Sequence, residues 1–228
     1  MLRQTFERDL QRLQDEVLAL GSMVESAVAE SVDALKRRDL EAAHRIIAGD
    51  REVNAKRFAI EGDVLALIAT QQPMASDLRV LAAVLETATE LERIGDYAKG
   101  ISRISQMIGT APLIKPLVDL PRMSDKALDM LHRALEAFVQ QDVEAARAIP
   151  KEDDEVDALY NQVYRELITY IMQDPSCMEQ ASQLLWAAHN LERAADRVTN
   201  ICERVVFTVT GEMTEIDSAD HEPGTAGV

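Results

Sequence analysis

The chain has 228 residues, 47% of them hydrophobic but only 4% aromatic, and 40 acidic against 24 basic side chains leave a formal charge of −16. An aliphatic palette of this kind suits helix-on-helix packing and is short of the β-branched and aromatic residues that strands favour. A surface this acidic repels nucleic-acid backbones and anionic lipid headgroups, and argues equally against direct capture of free phosphate.

Taken in chain order, the apolar pattern is helical. Leu10, Leu13, Val17, Leu20, Val24, Val28 and Leu35 form one stripe at spacings of three, four and seven. Val64, Leu65, Leu67 and Ile68 belong to a second helix. Pro73 marks the turn into a third, carried by Leu78, Leu81, Leu85, Ala88, Leu91 and Gly95. The stretch GTAPLIKPLVDLP at 109–121 is the one clear linker, with three prolines. Leu128, Leu131, Leu135 and Phe138 open a fourth helix, and Leu159, Val163, Leu167 and Ile171 a fifth. After Pro175, Leu184, Leu185, Ala188, Leu191, Ala195, Val198 and Val205 make a sixth. Met74, Met107, Met123, Met130, Met172 and Met178 read as core filler near helix ends. The tail at 211–228 is acidic, lacks an apolar face and is expected to be disordered. No charge-free apolar run is long enough to span a bilayer, and the charged N-terminus has no secretory pattern. Cys177 and Cys202 form no CxxC motif and read as small buried thiols of a cytoplasmic protein.

The second half repeats the first. At an offset of 103, Asp39, Glu41, Ile46, Asp50, Glu52 and Val53 recur as Asp142, Glu144, Ile149, Asp153, Glu155 and Val156. At an offset of 100, Leu91, Glu92, Arg93 and Asp96 recur as Leu191, Glu192, Arg193 and Asp196. Matched leucines arise between any two amphipathic helices; matched polar residues do not. The expected architecture is all-α: two tandem three-helix bundles of six long antiparallel helices, with a first repeat at 1–108, a linker at 109–121 and a second repeat at 122–210. Asp39 and Asp142 are placed to cap helices.

The chemistry-bearing feature is the duplicated carboxylate pair. Glu92/Asp96 and Glu192/Asp196 each lie four residues apart, on one helical face, where like charges cost about 0.2–0.5 kcal/mol. Asp153 and Asp157 repeat the spacing on another helix, with Asp50 and Asn54 as counterparts. Two things offset such repulsion. One is a cation held by converging hard oxygens, which suits Mg²⁺, Ca²⁺, Mn²⁺ or iron. The other is guanidinium from Arg93, Arg193 or Arg197. Glu86 and Glu90 share the spacing, but their counterparts are Trp186 and Asn190, so that pair reads as incidental. Glu41-x-x-His44 and Asp129-x-x-His132 are a poor match to the paired Glu-x-x-His motifs of ferritin-like di-iron bundles. No phosphate loop, nucleophile elbow or HExxH motif is present, so no enzyme is expected.

The ordered set of motifs resembles the PhoU family over residues 3–210. It comprises PMASDLR at 73–79, ELERIGD at 90–96, LERAADR at 191–197, NICE at 200–203, Glu25 within GSMVE, and GDREVN at 49–54. The resemblance implies a cytoplasmic negative regulator of the phosphate regulon and of phosphate uptake. Such a protein works as an adaptor between a phosphate ABC transporter ATPase and a sensor histidine kinase, meets the membrane only through them, and forms homodimers. It further implies multinuclear metal binding through E(D)xxxD motifs, here Glu92/Asp96, Glu192/Asp196 and Asp153/Asp157 with Asp50. The cofactors are then divalent or ferric ions: iron, zinc, manganese or magnesium. Asn54 departs from the pattern and weakens the first-repeat set relative to the second. The alternative function is a carboxylate-bridged, metal-binding helical-bundle enzyme.

Overall fold

The computed structural model of the chain describes residues 2–216, and every regular element among them is helical. The long helices are α1 (Leu2–Arg37), α2 (Leu40–Gln71), α3 (Ala75–Ile108) and α4 (Asp119–Gln140), followed by a short α5 (Val143–Ala148), then α6 (Asp153–Gln173) and α7 (Met178–Thr210). The two repeats are alike down to their turns. Arg38 (φ 60°) and Gln141 (φ 54°), equivalent at the 103 offset, both adopt the left-handed conformation that ends a helix. The next residues cap the following helix: Asp39 accepts from Ala42 N at 2.9 Å and Asp142 from Ala145 N at 3.0 Å.

One expected element is broken. The counterpart of α2 in the second repeat is split into α5 and α6 by a 3-10 turn at Ile149–Glu152 containing Pro150. Proline lacks the N–H that a continuous helix needs and its ring crowds the preceding turn. The equivalent residue in α2 is Ile47, and α2 runs through unbroken. The linker is shorter than expected: α4 begins at Asp119, so Pro121 sits in its first turn, where no intrahelical donor is required.

Packing joins the repeats into one core. α1 packs on α3 and α4 packs on α7 within the repeats; α3 packs on α7 and α1 on α4 between them. These four helices form a central bundle, with α2 and α6 outside it. A single apolar cluster runs through both halves, from Phe6 and Leu13 to Val205 and Val206. Leu20, Leu91, Met123, Met130, Leu131 and Leu191 are among its fully buried members. Burying such a side chain contributes about 1.5–3 kcal/mol.

α3 and α7 cross antiparallel at close range. A Cβ on Gly100 would stand 2.9 Å from Asn190 Oδ1, so any larger residue there has to turn that amide aside. Glu86 and Glu90, incidental by sequence, bridge the repeats: Arg204 pairs with Glu86, while Glu90 Oε2 lies 3.5 Å from Arg197 Nη1 and accepts from Asn200 Nδ2 at 3.3 Å. Each carboxylate reaches across to the other half, a contact that the uncharged counterparts Trp186 and Asn190 do not mirror.

Several apolar expectations fail at helix ends and outer faces. Met74, Met107, Met172 and Met178 are exposed, as are Leu65 and Leu78; Met123 and Met130 alone of the six methionines are core. A helix end reaches past the bundle it belongs to, and the outer arc of α2 has no neighbour to bury Leu65 against. Cys202 is buried as expected, whereas Cys177 is only half-buried. Residues 211–216 have no regular structure, yet Ile216 packs on the core and its N donates to Glu203 Oε1 at 2.9 Å. The rest of the tail, 217–228, lies outside the described residues. No described helix is long and apolar enough to cross a membrane.

Candidate functional site: two unequal carboxylate clusters

The second repeat brings Asp153 and Asp157 of α6 against Glu192 and Asp196 of α7. Asp153 is buried just after the Pro150 turn, in the first turn of α6, where the helix dipole favours negative charge. Its pKa is pushed up from 3.8 to about 7, by burial first and then by Asp196, Asp157 and Glu192. Burial and Asp196 also raise Asp157. Glu192 rises for the same two reasons, opposed by His189 and Arg193 and with Asp157 adding to it. Asp153 Oδ1 and Glu192 Oε2 are buried without a hydrogen-bond partner. His189 Nδ1 lies 3.0 Å from that Glu192 oxygen but not in hydrogen-bonding geometry, and Arg193 Nη1 stands 3.6 Å from Asp196 Oδ2. A polar cavity of about 350 Å³ opens over the cluster, lined by Asp153, Asp196, Arg193 and Arg197, with Glu215 and Ile216 of the C-terminal segment at its side.

The first-repeat cluster is built differently. Lys99 Nζ sits 2.6 Å from Asp50 Oδ2 and 3.3 Å from Asp96 Oδ1. Asn54 Nδ2 donates to the same Asp50 oxygen at 3.2 Å. The bond to Asp50 is the main reason the Lys99 pKa is raised. Glu92 is pushed up by burial and by Asp96, with Arg57 opposing. At the equivalent positions the second repeat has Thr199 for Lys99, Asp157 for Asn54 and Tyr160 for Arg57. Lys99, Arg57 and an amide thus answer the first cluster, whereas the second is answered by Arg193 and His189 and, among the described residues, by no ammonium. Lys99 was absent from the sequence reading. Its spacing of three from Asp96 and seven from Glu92 on the same helix was the available signal.

The structure therefore groups the seven expected carboxylates into two sets: Asp50, Glu92 and Asp96 with a resident ammonium, and Asp153, Asp157, Glu192 and Asp196 without one. Among the described residues no three carboxylate, histidine or cysteine side chains stand close enough to form a ready-made metal cage. The second set still fits a hard cation in kind: its donors are all oxygens, two of them buried without a hydrogen bond, and their mutual repulsion would be relieved by drawing inward on an ion. The di-iron pattern is not assembled. His132 lies 3.3 Å from Glu25 Oε1 and 3.7 Å from Glu136 Oε1 on the α1–α4 side, while His44 is exposed on α2. His189 stacks by its ring, tilted, on Trp186 and Tyr160, at 5.5 and 6.1 Å between centroids.

Comparison with known proteins follows this duplication. The PhoU domain family model matches twice, at residues 17–105 and 120–205. The phosphate-specific transport system accessory protein PhoU of Escherichia coli is 35% identical over 207 residues, 91% of this chain and 86% of that protein. The PhoU homologue of Clostridium acetobutylicum is 34% identical over 218 residues, 95% of this chain and 100% of its own length. The crystal structure of the phosphate transport system regulatory protein PhoU from Streptococcus pneumoniae superposes with a TM-score of 0.85 at 32% identity, covering 92% of this chain and 99% of that one. PhoU from Pseudomonas aeruginosa gives 0.85 at 31%, covering 91% and 100%.

Proposed function

The chain belongs to the PhoU family, and from that premise we propose that it is an accessory protein of a phosphate-specific transport system that represses the phosphate regulon and restrains uptake when phosphate is plentiful. It acts in the cytoplasm as an adaptor, as a homodimer, between the transporter ATPase and a sensor histidine kinase. The observation that carries this reading is the double match of the family model across both repeats, together with relatives of that name aligned over more than nine-tenths of the chain. The test is deletion of the gene followed by growth in excess phosphate. Alkaline phosphatase should become constitutive, and the tagged protein should co-purify with both the ATPase and the kinase. Repressed phosphatase in the deletion strain, with neither partner retained, would sink the proposal.

We further propose that the second-repeat cluster binds a divalent or ferric ion through Asp153, Asp157, Glu192 and Asp196. The mutual repulsion and the two buried oxygens without hydrogen bonds support it. Bound there, the ion would supply positive charge that locks α6 to α7; the carboxylates hold it and the Arg193 guanidinium bounds the site on one side. Metal analysis of the purified chain should show ion lost on Glu192→Ala with Asp196→Ala. Equal metal content in that variant would rule the site out.

A further inference from the structure

The two repeats also differ at the angle between their first and second helices. In the second repeat that angle is filled by the chain's own charges. Arg133 Nη1 and Nη2 each donate to Glu152 at 2.8 Å, Lys126 Nζ adds a third bond to Glu152 at 2.6 Å, and Asp129 Oδ2 holds Arg133 at 2.7 Å. At the 103 offset the first repeat has Glu30 for Arg133, Gly49 for Glu152, Met23 for Lys126 and Ser26 for Asp129. One partner of the ion pair has reversed sign and the other has no side chain.

What stands there instead is a groove of about 550 Å³ between α1 and α2, with Met23, Ala27, Ile46 and Val53 among its apolar lining. Glu30, Glu52 and Arg45 also line it. Glu30 has no ion-pair partner among the described residues. Asp50 forms part of the wall. It is only 8% exposed, its Oδ2 is taken by Lys99 and Asn54, and its Oδ1 has no hydrogen-bond partner. That oxygen is enclosed and has almost no surface open to the groove, so Asp50 shapes the wall without offering a contact atom.

We propose that this groove docks an arginine side chain of a partner polypeptide, flanked there by apolar residues, in the place that Arg133 and Glu152 fill in the second repeat. The aliphatic stem lies along the apolar lining and the planar guanidinium meets Glu30, with Glu52 also on the groove. Charge-assisted bonds of this type are shorter and stronger than neutral ones, and the excess of carboxylate over Arg45 at the rim selects a cation. This docking goes beyond the regulatory reading and does not depend on it.

The probe is a capped heptapeptide carrying one arginine between leucines, titrated onto the full chain labelled at its methionine methyls. A saturable shift of the Met23 methyl is expected, with Met123 and Met130 in the other repeat unmoved. The same peptide with citrulline, which keeps the shape and loses the charge, should bind at least about tenfold more weakly. Glu30→Arg with Gly49→Glu rebuilds the second-repeat ion pair in the groove and should abolish binding; a Cβ at Gly49 meets nothing within 4 Å, so the substitution is accommodated. Glu30→Gln alone, at an exposed position, should weaken binding about fivefold and guards against misfolding of the double variant. An unmoved Met23 methyl, equal binding of the citrulline peptide, or undiminished binding to the variants would each overturn the proposal. So would an Mg²⁺ or Mn²⁺ titration that produced the Met23 shift and displaced the peptide, since the groove would then serve an ion. The binding is measured on the isolated chain, so its outcome is separate from that of the gene deletion.

Discussion

Arg197 Nε donates to Tyr97 Oη at 3.3 Å, and the two residues are each other's counterparts at the 100-residue offset. A residue that touches its own equivalent marks a two-fold axis inside the chain. Neighbouring contacts obey it: Glu90 meets Asn200, and Gly100 meets Asn190. The operator is that of an isologous dimer interface, here between two halves of one polypeptide.

Enlarging Gly100 therefore tests the seam between the halves. Gly100→Val puts carbon against Asn190 Oδ1 and should destabilise the fold by about 1–3 kcal/mol, the usual cost of overpacking. Urea unfolding followed by circular dichroism reads it. A variant as stable as the parent would show that the Asn190 amide turns aside without cost.

Lys99 decides how the first cluster differs from the second. Lys99→Thr with Asn54→Asp copies the second-repeat arrangement into the first, and metal bound per chain should rise by about one equivalent, since the same oxygen donors lose their resident ammonium. Elemental analysis after dialysis against Mn²⁺ gives the count. Without added metal the variant should be less stable by about 1–3 kcal/mol, because Asp50 stays buried and loses its partner.

Asp153 gives the metal-free chain a pH dependence of definite sign. Its folded-state pKa, about 7, lies above the 3.8 of an ordinary aspartate, so the folded chain holds a proton that the unfolded chain releases. The associated stabilisation is fully present below pH 3.8 and is lost as pH rises toward and through 7. In EDTA, unfolding free energy should fall by on the order of 2 kcal/mol between pH 5 and pH 8 through this group. Asp153→Asn should flatten the profile and raise stability at pH 8. A profile unchanged by the substitution would mean that Asp153 is ionised throughout.

The two helix caps should differ in weight. Asp39→Ala and Asp142→Ala each remove a bond to the following helix and should cost about 1 kcal/mol. Asp142 should cost more, because α5 has only 6 residues with which to hold its turn before the Pro150 break. Paired thermal melts of the two variants compare them directly.

Much of this molecule could be read from residue spacing. The repeat, both aspartate caps and the carboxylate pairs are local patterns, and the helices placed them as the periods of 3.6 and four imply. What escaped was relational. Pro150 was visible, but which of two equivalent helices tolerates a break depends on packing. Glu86 and Glu90 looked incidental because their partners, Arg204 and Arg197, come from more than 100 residues away. Lys99 lay in plain view, yet its ammonium matters only because α2 brings Asp50 beside it.

The internal dyad has a consequence for how such a protein can change. In a dimer of separate half-length chains every substitution appears on both sides of the axis, so a lysine that neutralises one acidic cluster neutralises its twin as well. Joined end to end, the halves answer to separate codons. Lys99 can then silence one cluster while Thr199 leaves the other charged, and Gly49 can hollow a groove that Glu152 plugs on the far side.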